Sequence, residues 1–99
     1  MVVSLSYTVN NVFMQYFNEP TQLQIEFSHK LAQKLRLLRD QRNLSQEKIA
    51  QLAGISAYTY QKFEKGESKP GTPMNPRLHT LLSLADAFEI DIRELLDLN

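Results

Sequence analysis

Between Ser45 and Gly66 the sequence places two serines that can start helices and two glycines that can stop them. This punctuation leaves room only for two short helices joined by a tight turn. Ser45 precedes the apolar positions Ile49, Leu52 and Ala53, and Gly54 follows them. Ser56 then opens a second run in which Tyr60 and Phe63 sit three apart, closed by Gly66. A glycine just past a helix takes the left-handed backbone without the steric cost that a side chain meets there. Ala50 is small where two such helices would cross closely. Ile55 plugs the space beneath the turn, while Ile49, Ala53, Tyr60 and Phe63 point to a shared core. Two short helices crossing at about 90–120° through such a turn make a helix-turn-helix, whose second helix can enter the major groove of DNA. An ordinary helical hairpin has the same spacing, so the rest of the chain must decide between them.

Upstream, Thr21 with Gln24 offers a capping box, and Leu23, Phe27, Leu31, Leu35 and Leu38 recur at helical spacing. Together they predict a long amphipathic helix over about 22–42. Downstream, Pro70, Gly71 and Pro73 mark 67–75 as a loop. Asn75 followed by Pro76 reads as a cap and the first helical residue of a fourth helix through Leu78, Leu81, Leu82, Ala85 and Phe88. Asp91 with Glu94 reads as the capping box of a short last helix holding Ile92, Leu95 and Leu96. The fold class expected after Pro20 is therefore all-α, with five helices. Near the N-terminus, Val3, Leu5, Tyr7 and Val9 alternate with Ser4, Ser6 and Thr8, as in a short half-buried strand. Asn10 and Asn11 can cap a brief helix through Val12, Phe13, Met14, Tyr16 and Phe17. The expected organisation is an N-terminal extension over 1–26 and a helical domain over 27–99.

Ninety-nine residues, 42% of them hydrophobic, fit one small globular domain. The net charge is zero, but its distribution is uneven. Residues 27–65 hold eight basic residues against three acidic, a net +5, whereas 1–26 carry −2 and 66–99 carry −3. A basic block between acidic flanks suggests a polyanion-facing surface, and a solvated helix face is the competing explanation. Cysteine is absent, which removes disulfides, thiolate metal sites and cysteine nucleophiles and fits a reducing cytoplasm. The first Lys or Arg is Lys30, so the positive region of a signal peptide is missing, and no apolar run approaches the ~20 residues of a membrane span. A cytoplasmic location and no membrane partner are expected. His29 and His79 are isolated, and there is no glycine-rich phosphate loop or metal-spaced histidine pair. No catalytic residue, metal or cofactor is expected.

Residues 35–56, centred on Leu44-Ser45-Gln46-Glu47 and Gly54-Ile55-Ser56, resemble the Cro and lambda-repressor type of helix-turn-helix, also called the XRE family. The ending Leu81-Leu82-Ser83-Leu84-Ala85-Asp86-Ala87-Phe88, followed by Asp91-Ile92-Arg93-Glu94-Leu95-Leu96, is similar to that family's last two helices. The resemblance implies a five-helix lambda-repressor-like domain that binds double-stranded operator DNA as a homodimer and regulates transcription as a repressor. It places Gln46 against the DNA backbone, bracing the second helix of the motif. It places Ser56, Ala57, Tyr58, Gln61 and Lys62 toward the groove. The chemistry of these side chains agrees in part: Lys62 can donate to guanine O6 and N7, Gln61 can pair with adenine, and Ala57 can touch a thymine methyl. Tyr58 can reach a base or stack on sugar and phosphate, and a plain solvent-exposed role stays open for each. Lys65, Lys69 and Arg77 are candidates for phosphate contacts. Arg39 and Glu64 match a pair that in several family members forms a salt bridge between the long helix and the end of the groove-facing helix.

Two departures stand out. The stretch 66–76 is longer than in the family, with Gly71-Thr72-Pro73-Met74-Asn75-Pro76 looking like an insertion, and Tyr60 occupies a position usually aliphatic. Residues 1–26 lie outside the resemblance. A strand over 3–9 could pair with its copy in a second subunit. The extension also sustains an alternative reading, an antitoxin-type interaction protein that neutralises a protein partner through 1–26 and autoregulates its operon.

Overall fold

The computed structural model describes residues 19–99, so the strand expected over 3–9 and the brief helix over 12–17 lie outside the described residues. The described residues form five helices and one hairpin: α1 (Gln22–Gln41), α2 (Gln46–Ala53), α3 (Ala57–Lys65), β1 (Glu67–Lys69), β2 (Thr72–Pro73), α4 (Leu78–Ala87) and α5 (Ile92–Leu95). The fold is all-α in the main, as the pattern of caps and apolar positions requires.

The expected start of α1 is present in atomic detail. Thr21 Oγ1 accepts from the Gln24 amide at 3.1 Å, and the Gln24 side-chain oxygen accepts from the Thr21 amide at 3.0 Å. The expected apolar stripe, however, is divided. Leu31, Leu35 and Leu38 are buried, but Leu23 is 71% and Phe27 43% exposed. The reason is geometric: the helices and the hairpin back the helix only from about Ser28 onward, and the first turns of α1 overhang them. Ser28, itself buried, marks the edge by donating to the Met74 carbonyl at 3.2 Å.

The two serine-to-glycine segments fold as read. Ser45 Oγ accepts from the Lys48 amide and Ser56 Oγ from the Thr59 amide, each at 3.0 Å, so each helix begins on a satisfied donor. Leu35, Ile49, Tyr60, Leu84, Phe88 and Leu95 are fully buried and bring α1 to α5 into one core. Tyr60 is thus a core residue, and its hydroxyl does not reach the solvent edge. It is buried and lacks a hydrogen-bond partner among the described residues.

Three elements differ from expectation. The stretch 67–75 is not a plain loop: β1 and β2 pair antiparallel, Glu67 with Pro73 and Lys69 with Thr72, across the Pro70-Gly71 turn. Strands of three and two residues are too short to show alternation, so only their turn residues were visible in the sequence. The fourth helix starts at Leu78 with Arg77 at the cap and no side-chain cap bond, rather than at Asn75 and Pro76. Met74 is pinned by its amide to the Gly66 carbonyl at 3.0 Å. The residue before a proline is held extended, so residues 75–77 serve as a lead-in. Finally, Asp91 caps α5 through the Arg93 amide at 2.8 Å and its guanidinium at 2.9 Å, with no reciprocal bond from Glu94.

The two capping glycines differ in what surrounds them. Both have positive φ, 73° at Gly54 and 79° at Gly66. A Cβ at Gly54 would meet nothing within 4 Å, whereas one at Gly66 would lie 3.2 Å from the Ser28 carbonyl and 2.9 Å from His29 Cδ2. Gly54→Ala should therefore cost only the left-handed backbone penalty, about 1–2 kcal/mol, and Gly66→Ala more. Urea unfolding of both variants checks this, and equal losses would contradict it.

Candidate nucleic-acid interface

The position of α3 is set by a charge buried at its end. The Glu64 side chain is 4% exposed, and the Arg39 guanidinium grips it by two bonds, Nε to Oε2 at 2.6 Å and Nη2 to Oε1 at 3.0 Å. Arg39 Nη1 also donates to the Leu44 carbonyl at 3.0 Å, fixing the α1–α2 turn. Gln46 Nε2 donates to Glu64 Oε1 at 3.0 Å, and the Arg36 guanidinium donates to the Glu64 main-chain carbonyl. One residue of α3 is thereby tied to α1 and to the first residue of α2. Burial pushes the Glu64 carboxyl up, but the hydrogen bonds from Arg39 and Gln46 and the Arg39 charge outweigh that and hold it below the ordinary value. The Tyr60 hydroxyl is pushed far up, first by burial and then by the nearby Glu64 charge, so it stays neutral.

The basic block seen in the sequence does not form one surface. Arg36 and Arg39 bond Glu64, Arg42 donates to the Phe88 carbonyl at 3.0 Å, and Lys34 donates to the Asp97 carbonyl at 3.3 Å. The Arg42 guanidinium also lies 5.7 Å from the centre of the Phe88 ring. These internal roles for Arg36 and Arg42 were not read from the sequence, although a signal existed: Arg36, Arg39 and Arg42 recur every three residues along one side of a helix.

Other cations gather on the outer face of α3. Tyr58 is 68% exposed, and the Lys62 ammonium lies 4.4 Å from its ring centre, a cation–π contact one turn apart. Lys65 is exposed, and Ala57, Gln61 and Lys62 are half-buried along the same helix. Ser56 is engaged in its cap and also donates to Thr59 Oγ1 at 2.9 Å, which leaves its oxygen little free capacity. Between α3 and the hairpin lies a cleft of about 210 Å³ lined by Tyr58, Gln61, Lys62, Lys65, Lys69 and Pro70, among others. Lys69 reaches this cleft because β1 folds back along α3. Arg77 is exposed at the cap of α4 and does not line it. Ala50 is buried under the α2–α3 crossing, and Gln46 sits half-buried beside Glu64.

The chain matches the helix-turn-helix domain family over residues 32–99 and belongs to that family, of the Cro and lambda-repressor type. The restriction-modification controller protein C.AhdI from Aeromonas hydrophila is 37% identical, with a TM-score of 0.60 over 69% of this chain and 94% of that one. An HTH_3 family transcriptional regulator from Vibrio cholerae is 30% identical, with a TM-score of 0.63 over 73% of this chain and 37% of that one. No curated protein sequence matches the chain. The family and these likenesses make this a DNA-binding transcriptional regulator. Among the described residues no helix is long and apolar enough to cross a membrane.

Because the Glu64 carboxyl is held below its ordinary value of 4.5, the stability it lends is whole above that pH and declines as the pH falls through and below it. Glu64→Gln should flatten this part of the acid limb when urea unfolding is followed from pH 7 to 3. Glu64→Ala, which strands Arg39, should cost about 3–5 kcal/mol at pH 7. A loss under about 1 kcal/mol would place the pair with ordinary surface ion pairs.

Proposed function

We propose that the protein is a repressor that binds an inverted-repeat operator as a homodimer, with α3 lying in the major groove. The observation that carries the reading is the contrast between cations. Arg36, Arg39 and Arg42, along α1 and at its end, bond acceptors of the fold, whereas Lys62, Lys65 and Lys69 converge on one open cleft beside an exposed tyrosine. In this reading Lys62, held over the Tyr58 ring, reaches a base edge, and Gln61 and Ala57 meet neighbouring bases. Lys65 and Lys69 meet phosphates. Gln46, anchored through one amide hydrogen to Glu64, keeps its carbonyl and second hydrogen for the backbone or a bridging water.

A dimer follows from length. The nine residues of α3 span roughly 13 Å, which covers too few base pairs to be selective alone. The likeness to a restriction-modification controller over nearly the whole of that chain supports a regulator rather than a partner-neutralising protein, and makes the promoter of such a system the first target to test. A DNA-binding regulator of this kind would work in the cytoplasm.

Selection of bound DNA from a random pool should return a two-fold symmetric consensus, its half-sites about 34 Å or a multiple apart. An asymmetric consensus would sink the dimer. On the selected site, Lys62→Ala should lose about 1–3 kcal/mol of discrimination at one base pair. Lys69→Ala should instead weaken all sequences evenly and lower the salt slope by about one. Equal losses on cognate and random DNA for Lys62→Ala would make that residue a phosphate contact.

A further inference from the structure

The overhang of α1 leaves an apolar groove that shares no lining residue with the Lys62 cleft. It has a volume of about 620 Å³ and runs between α1, β2, the lead-in to α4 and the C-terminal end. Leu23, Phe27 and Leu31 form one wall, and Met74, Leu81 and Leu96 are among the residues opposite. Leu23 and Phe27 are the exposed part of the α1 stripe, and both precede residue 32, where the helix-turn-helix family match begins.

The chain enters the described structure at the mouth of this groove, since Glu19 and Pro20 line it. Immediately before them the sequence reads Val12-Phe13-Met14-Gln15-Tyr16-Phe17, and no charged side chain occurs among residues 1–18. We infer that residues 12–17 dock in the groove of their own chain, covering Leu23 and Phe27. Reach allows it. At ~3.3–3.6 Å per residue, Val12 lies within roughly 25 Å of Glu19, while α1 advances only about 14 Å from Gln22 to Leu31. Proximity favours it over any free partner, because a short tether gives an effective concentration in the millimolar range. The sequence and the groove also agree in kind: uncharged and aromatic against apolar walls. The groove and the Lys62 cleft share the hairpin, with Thr72 and Pro73 on one side and Lys69 and Pro70 on the other. A seated segment therefore braces the strand pair that carries Lys69. The inference does not depend on whether α3 reads DNA.

The chain has no cysteine and three methionines, which makes a direct test simple. A nitroxide on Asn11→Cys in the full chain should broaden the methyl resonance of Met74 in a methionine-labelled sample. The broadening should persist when the doubly labelled chain is diluted tenfold with unlabelled chain. It should be absent when the nitroxide and the labelled methionine are placed on different chains and mixed. Leu23→Asp or Phe27→Asp, both at exposed positions, should abolish it while the melting curve still shows a folded domain. Broadening between mixed chains would overturn the inference in favour of a second copy's segment. No broadening in the singly assembled chain would overturn it outright, leaving the groove for a separate protein.

Discussion

A carboxylate buried at the C-terminal end of a helix is in a poor place, because it has lost water and faces the negative end of the helix dipole. Glu64 is in that position, in the last turn of α3 and nearly without solvent. Its charge is tolerable only if other groups come to it, and the fold is arranged so that they do. Arg39 supplies a planar fork that matches both oxygens, Arg36 caps the carbonyl of the same residue, and Gln46 brings the first residue of α2 to the same carboxylate. Because each partner sits on a different element or turn, satisfying one charge fixes the angle of α3 against both α1 and α2. The apolar core supplies most of the stabilisation. The ion pair supplies direction, which a contact between Leu35 and Tyr60 cannot do as sharply.

The same economy explains the distribution of basic residues. The arginines of α1 terminate other elements: Arg36 and Arg39 at the end of α3 and the α1–α2 turn, Arg42 at the Phe88 carbonyl that ends α4. A guanidinium can serve several carbonyls and a carboxylate at once and is weakly hydrated, so it suits a half-buried cap. Lysine has a compact and strongly hydrated ammonium group that favours water, and Lys62, Lys65 and Lys69 lie on the outer face of α3 and the hairpin. A net charge of zero thus conceals an uneven arrangement, because three arginines bond acceptors of the fold and Lys62, Lys65 and Lys69 line one cleft beside Tyr58.

Tyr60 and the hairpin show how the surroundings of α3 are tied to the core. Tyr60 fills the core with a larger ring than an aliphatic residue would, and its hydroxyl has no partner among the described residues although it lies near a charged network. The residues after Gly66 do not hang free. The Gly66 carbonyl, the Met74 amide and the Ser28 hydroxyl pin the hairpin's base to α1, so Lys69 is presented from a fixed strand pair rather than a loose loop.

The sequence by itself determined whatever is decided within about one turn of helix. Thr21 and Gln24, Ser45, Ser56, Gly54 and Gly66 each act on backbone groups two to four residues away, so the limits of α1, α2 and α3 were legible from residue type and spacing. The pairing of Arg39 with Glu64 was legible through resemblance to a family, not through spacing. Only the tertiary structure decided which half of the α1 stripe is covered, that Arg36 and Arg42 turn inward as caps, that α4 starts two residues late, and that Lys69 joins Lys62 at one cleft. Those outcomes depend on where a second element stops, and a one-dimensional pattern records which residues need burial or a partner but not which surface arrives to provide it.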